Sequence, residues 1–281
     1  MRVGLVQMCA GQSVAGNVAA ASRLIGEAKA AGAELIVTPE MTTVIVPRRE
    51  LMLAALGDSA DGGAAEAFAA LARRLSVNLL IGSMAVKRPD GRLANRSMLF
   101  GPDGARLAAY DKVHMFDVDL AGGESYRESR SYAAGDRLVV VEAAGARLGL
   151  SICYDVRFPA LYRQLARAGA EIITVPSAFT VPTGQAHWHV LLRARAIETG
   201  AFVLAPAQTG RHESGRQTYG HSLVVAPWGE IVADGGVDQG VILADINLEQ
   251  VIEARRRIPA LRHHRMFKLF DNRDVLEFIA L

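Results

Sequence analysis

Short runs of Val, Ile and Leu alternate with longer Ala-rich stretches along the whole chain, a pattern that only an α/β fold accommodates. The apolar runs fall at 3–8, 35–38, 79–82, 97–100, 138–141, 148–152, 172–175, 202–205, 222–225, 230–233 and 241–245, each of strand length. Between them, residues 17–31, 64–75, 160–168 and 187–199 carry apolar side chains at three-to-four spacing and predict helices. Gly32, Gly169 and Gly200 follow three of these stretches, where a left-handed C-cap belongs. The runs 138–141 and 148–152 flank a turn at Gly145, and 222–225 and 230–233 flank Pro227-Trp228-Gly229, so antiparallel pairs are mixed with helix-linked strands. About eleven strands exceed the usual capacity of one open sheet. The expectation is two mixed β-sheets packed together with helices outside them, a four-layer αββα sandwich. With no repeat or low-complexity linker, residues 1–281 read as one domain, ending in a basic docking tail at about 255–281.

Charge and cysteine usage narrow the partners. Lys plus Arg (31) nearly balances Asp plus Glu (29) without a basic block, so neither nucleic acid nor an anionic membrane is an expected partner. A small neutral or locally charged ligand fits better. The N-terminus enters a strand pattern at Val3 with no long apolar segment before it, which predicts a cytoplasmic protein. Two cysteines, Cys9 and Cys153, do not make a disulfide framework in a chain of this length, and both are expected to be reduced.

Cys153 follows the apolar run Leu148-Gly149-Leu150-Ser151-Ile152 and precedes the polar turn Tyr154-Asp155-Val156-Arg157-Phe158-Pro159. A thiol is thus placed where a buried strand reaches the surface, and such rigidly fed loops carry catalytic groups. Alone it reads first as an inert buried thiol. Glu40 ends the run Leu35-Ile36-Val37-Thr38-Pro39 and Lys112 lies in Tyr110-Asp111-Lys112-Val113-His114; each alone is an ordinary solvated charge.

Together, Pro39-Glu40, Tyr110-Asp111-Lys112-Val113-His114, Cys153-Tyr154-Asp155-Val156-Arg157-Phe158-Pro159, Ala186-His187-Trp188 and Tyr219-Gly220-His221-Ser222 resemble the nitrilase superfamily of carbon–nitrogen hydrolases along nearly the whole chain. The resemblance implies the αββα sandwich, assembly as a homodimer or higher homo-oligomer, and Glu128 as a second glutamate beside the lysine. The chemistry suits these residue types. A thiol with pKa near about 8.5 needs a base to attack a carbonyl, for which Glu40 is the candidate. The developing oxyanion needs a fixed cation and a backbone donor, for which Lys112 and the Tyr154 amide are candidates. No metal or organic cofactor is expected. His114, Asp117 and Asp119 lie close in sequence but lack compact metal-ligand spacing.

Tyr154-Asp155 after the cysteine differs from the Trp-Glu of true nitrilases and from the Asp-Arg-Arg-type turn of carbamoylases, so an amidase is favoured over an N-carbamoyl amide hydrolase. Cys153-Tyr154-Asp155 through Pro159, Pro176-Ser177-Ala178-Phe179 and Tyr219-Gly220-His221-Ser222 are similar to the deaminated-glutathione amidase branch, with the ω-amidases of α-ketoglutaramate and α-ketosuccinamate as the alternative. Gln185 stands where both branches usually have Pro before Ala-His-Trp, which leaves the shape of the adjoining loop open. Arg157 and Arg211 are candidates to bind a substrate carboxylate through bidentate guanidinium pairing. Phe179, His187 and Trp188 are candidates for the pocket wall. Of Arg193 and Arg195, which cannot share a helix face, at most one should point inward. A catalytically silent scaffold on the same fold is the non-enzyme alternative.

Overall fold

The computed structural model describes residues 1–119, 125–263 and 265–267. Two six-stranded mixed sheets dominate it. In spatial order the first contains Gly240–Asp245, Arg2–Gln7, Leu35–Val37, Asn78–Lys87, Leu93–Phe100 and Arg106–Asp111. The second contains Ile231–Asp234, Leu223–Val225, Phe202–Ala205, Ile172–Thr174, Ala146–Leu150 and Val139–Ala143. Both share one plan: three parallel strands in the centre with antiparallel strands on either side.

Strand alternation produces the layering. In the first sheet Val3, Leu5, Leu35, Val37, Leu80 and Leu99 join a core shared with Leu148, Leu150, Ile172 and Val203 of the second sheet. Their sequence neighbours Val6, Ile36, Leu79, Ile81, Met98 and Phe100 point the other way, into a core shared with helices α1 (Val14–Ala30) and α3 (Ala64–Leu75). A short helix α2 (Arg49–Leu56) lies between these two in the chain and buries Met52 and Leu56. On the far side, α4 (Pro159–Arg167) and α5 (Val181–Thr199) cover the second sheet with Leu161, Tyr162, Leu165, Trp188 and Leu192. The expected four-layer sandwich is therefore present, and α6 (Glu249–Arg257) packs Val251 and Ala254 against it. Among the described residues no helix is long and apolar enough to cross a membrane. Most of the expected docking tail lies outside the described residues.

Local chemistry explains the main departures from the sequence reading. The α5 helix opens at Val181, not near His187, because Thr180 is extended and Pro182 sits in the first turn, where its missing N–H costs nothing. Gln185 is consequently an exposed residue inside that helix, and its N–H is available to the helix where a proline's would not be. Within α5, Arg195 points inward, donating from Nε to the Val156 carbonyl at 2.8 Å, while Arg193 is exposed. The Arg106–Asp111 strand has mostly outward residues and therefore gave no apolar run to read.

Candidate active site

The carboxyl ends of the parallel strands converge at one end of the sandwich, the usual place for a ligand in such sheets. Leu35–Val37 leads to Glu40, Ala146–Leu150 to Cys153, and Ile172–Thr174 to Ala178 and Phe179. Lys112 enters from the other side, immediately after the Arg106–Asp111 edge strand. These residues line one cleft of about 220 Å³, below the roughly 300–1,000 Å³ of drug-sized sites, so it is sized for a small molecule.

Gly82 permits this convergence. A Cβ there would lie 2.0 Å from the Thr38 carbonyl oxygen and 2.4 Å from Pro176 Cβ. Its strand thus passes directly beneath both segments that carry the site. Thr38 also accepts the Gly82 amide on Oγ1 at 3.0 Å, and Gln208 Nε2 donates to the Glu40 carbonyl at 3.0 Å, clamping the glutamate turn from two sides.

Cys153 begins a 3₁₀ turn, Cys153–Arg157, with φ of +49°, the left-handed region that a side chain rarely adopts. Such a conformation costs on the order of 1–3 kcal/mol and must be held by its surroundings. The Cys153 amide donates to the Pro176 carbonyl at 3.0 Å. Buried Asp155 accepts from Tyr110 Oη (2.7 Å), the Ile152 amide (2.9 Å) and the His114 amide (3.0 Å), with His114 Nδ1 at 2.8 Å. Asp155 is a residue whose part the sequence did not reveal. His114, Asp117 and Asp119 have separate partners: Asp117 accepts the Ser129 amide and Asp119 pairs with Arg127.

The charged cluster is tightly connected. Lys112 Nζ, 2% exposed, donates to Glu40 Oε1 at 2.9 Å and to Glu128 Oε2 at 2.8 Å. Asn95 Nδ2 bridges the same carboxylates, at 3.0 Å to each. The Ala178 amide donates to Glu40 Oε2 at 3.0 Å, and the Phe116 amide to Glu128 Oε2 at 2.7 Å. Asn95 was missed because one polar residue in a strand reads as an ordinary edge position.

These contacts decide the resting charges. Burial pushes the Glu40 carboxyl up, but Lys112, hydrogen bonds from Cys153 and Lys112, and the charge of Arg216 outweigh it and hold Glu40 below its ordinary value. Burial works against the Lys112 ammonium too, yet Glu128, Glu40 and Cys153 keep it well above the usual lysine value. The Cys153 thiol is pushed up by burial and by Glu40, with only partial relief from Lys112. The resting site therefore holds a neutral thiol hydrogen-bonded to an ionised carboxylate. Proton transfer between them belongs with bond formation, when the thiol attacks, and not before it.

The remaining expected site residues divide. Tyr154, Arg157 and Phe179 line the cleft. Trp188 is 1% exposed and stands behind it, packing its ring at a tilt against Phe179 at 4.7 Å between centroids and donating Nε1 to the His221 carbonyl at 2.7 Å. His187 is exposed on α5 with its Nδ1 at 3.3 Å from Arg157 Nη2, outside the lining. Arg211 lies on the small Thr209–Arg211 strand with its side chain exposed; Arg216, in the turn of that hairpin, lines the cleft instead. Sequence alone does not separate two arginines in one hairpin.

With this geometry in place, comparison with known proteins is decisive. The carbon-nitrogen hydrolase family profile matches residues 2–256. The chain belongs to that family. This carbon-nitrogen hydrolase is 41% identical over 263 residues to a deaminated glutathione amidase of Synechocystis sp., covering 92% of this chain and 96% of the relative. It is 33% identical to the omega-amidase NIT2 of Homo sapiens, over 94% and 95% of the two chains. The crystal structure of the C. elegans NitFhit protein superposes with a TM-score of 0.86 at 36% identity, over 94% of this chain and 65% of that longer one. An amide-hydrolysing enzyme is the activity class these relatives share, and the silent-scaffold alternative falls.

Proposed function

We propose that the chain hydrolyses a small α-keto amide through a Cys153 thioester, with deaminated glutathione as substrate and α-ketoglutarate and cysteinylglycine as products. The observation that carries this reading is the Glu40–Lys112–Glu128 cluster beside the Cys153 thiol at the base of a small cleft. Substrate choice rests on likeness: deaminated glutathione amidases stand at 38–41% identity against 33% for the omega-amidases.

Each role follows from donors and acceptors. As Cys153 Sγ bonds to the amide carbon, its proton passes to Glu40, which converts one buried anion into another without separating charge. The carbonyl oxygen becomes an oxyanion. Lys112 has three N–H donors and two are spent on Glu40 and Glu128, leaving one for that oxygen. The Tyr154 amide, among the first N–H groups of the 3₁₀ turn, is the second donor. Collapse breaks the C–N bond, and Glu40 returns its proton to the departing amine. Glu40 then takes a proton from water as the water oxygen attacks the thioester, and the thiolate that leaves is reprotonated by Glu40. Glu128 holds Lys112 in position throughout.

We further propose a homodimer in the cytoplasm. Exposed Val190 and Ile197 on α5, together with Trp228 and Ile258, offer an apolar face for a second copy, and both cysteines are free thiols. Side-by-side steady-state assays on deaminated glutathione and α-ketoglutaramate, reading α-ketoglutarate release, test the substrate. A higher kcat/KM on the former supports the reading. Preference for α-ketoglutaramate assigns the chain to the omega-amidases, and no turnover of either removes both.

A further inference from the structure

His221 takes no part in the reaction steps, yet its backbone is held in the left-handed region with φ of +55°. Its amide donates to the Gly236 carbonyl at 2.6 Å, and its carbonyl accepts the Trp188 indole at 2.7 Å. The turn aims its imidazole at Asp234, with Nδ1 at 2.9 Å from Oδ1 and 3.2 Å from Oδ2. From α5, His189 brings Nε2 to 3.1 Å from Oδ2 of the same carboxylate, and the Gly236 amide fixes Oδ1 at 2.9 Å. One ligand atom from each of His189, His221 and Asp234 thus lies within 4.8 Å of the other two. None of the three residues lines the catalytic cleft.

The chemistry of this cluster is that of a cation site. Burial pushes the Asp234 carboxyl up, but the Gly236 amide and the two imidazoles outweigh it and hold it below its ordinary value. The carboxylate is therefore ionised, and each ring nitrogen facing it carries a proton. Among the described residues Asp234 is the sole polar partner of either ring, so the opposite nitrogens are free to take that proton and leave two lone pairs facing one carboxylate oxygen. Two imidazole nitrogens and a carboxylate oxygen are a zinc donor set. Zinc bonds of about 2.0–2.1 Å in a tetrahedral site put ligand atoms about 3.3 Å apart. The two Asp234 contacts need little opening to reach that spacing, and the rings close on the ion by side-chain rotation. With side chains 24–33% exposed, the cluster is open to an ion from solvent. Cys9 and His212, at 3.5 Å, make a poorer centre, since His212 already spends Nδ1 on the Ala10 carbonyl and Nε2 on Thr218. We propose that His189, His221 and Asp234 bind one zinc ion, with water in the fourth position, and that the ion clamps α5 to the edge strand Ile231–Asp234 of the second sheet. The site is separate from the reaction centre and does not rest on the amidase reading.

The test uses the full chain carrying Cys153→Ala, which removes the active-site thiol as a competing ligand, after treatment with chelator and buffer exchange. Calorimetric titration with zinc should give one ion per chain with a Kd on the order of micromolar, as three protein ligands imply. Loss of one ligand in His189→Gln or Asp234→Asn should weaken binding by about a hundredfold. The two variants sit on different elements, so either carries the test should the other not fold. Zinc at a hundredfold excess over Kd should raise the melting temperature of the parent by about 5 °C and leave both variants unmoved. Cobalt in place of zinc should give the intense visible bands of a tetrahedral ion without the near-ultraviolet charge-transfer band of a thiolate ligand. No binding tighter than millimolar overturns the proposal. It is equally overturned by binding that survives unchanged in both variants, or by a thiolate band that assigns the ion to Cys9.

Discussion

Replacing Glu40 with Gln should separate two properties that usually change together, turnover and thiol reactivity. The carboxylate only accepts: Oε1 from Lys112 and Asn95, Oε2 from the Ala178 amide, with the Cys153 thiol as a further donor. A glutamine amide placed either way turns an N–H toward one of these donors, so at least one buried donor loses its partner. That costs about 1–3 kcal/mol, or roughly 2–4 °C of melting temperature per kcal/mol in domains near this size. Removing the base should lower kcat/KM by about 10²–10⁴-fold. The thiol should respond oppositely. Glu40 raises the Cys153 pKa through its charge and its hydrogen bond, whereas Lys112 lowers it. Without Glu40 the thiolate fraction at neutral pH rises, so iodoacetamide should alkylate Cys153 faster in Glu40→Gln than in wild type. Labelling rates followed by intact mass, set beside steady-state kinetics, check this. If labelling and turnover fall together, the resting state contains a thiolate that Glu40 maintains, and the neutral-thiol argument is wrong.

Three further outcomes follow from the same contacts. Lys112→Met abandons two carboxylates at a site where the ammonium is 2% exposed, and should cost about 3–5 kcal/mol in urea unfolding as well as nearly all activity. That deficit should shrink as pH falls from about 8 to about 5, because burial alone pushes Glu40 upward and its abandoned carboxyl takes up a proton; equal deficits at both pH values would contradict the charge assigned to Glu40. In wild type, Glu40 is depressed, so its contribution is full above the unfolded carboxylate value of about 4.3 and lost only as pH drops through the folded value. Lys112 is raised, so its contribution is full below about 10.4 and lost as pH climbs through its folded value; proton uptake on unfolding between about pH 6 and 9 should therefore owe nothing to either group. Gly82→Ala places a methyl against the Thr38 carbonyl and Pro176, and should cost about 1–3 kcal/mol or more with disproportionate loss of activity; near-normal kinetics would show that the strand does not set the spacing of Glu40 and Cys153.

The parts of the structure legible in the sequence are those where one period or one turn decides the outcome. Helix α3 was readable to its ends, since Ala64–Leu75 buries Phe68, Leu71 and Ala72 on one stripe. The three strand-end residues Glu40, Lys112 and Cys153 were readable as types in a pattern, and the structure brings them together. What escaped depends on tertiary contacts. Asn95 has no local signal, because its meaning lies in two carboxylates from distant turns. Asp155 reads as a turn residue until Tyr110 and His114 are seen to converge on it. Trp188 was expected on the pocket wall and instead supports Phe179 from behind, a distinction of one packing layer that helical spacing does not encode. Helix α2 was overlooked because Met52 and Leu56 supply only two buried positions.

The covalent step itself can be observed by rapid-quench intact-protein mass spectrometry during turnover of deaminated glutathione, with wild type and Cys153→Ala side by side. The account predicts a transient mass increase on wild type equal to the α-ketoglutaryl group, mapped to the peptide containing Cys153, and neither adduct nor turnover in the alanine variant. Turnover that persists in Cys153→Ala, or an adduct mapped to Cys9, would contradict it.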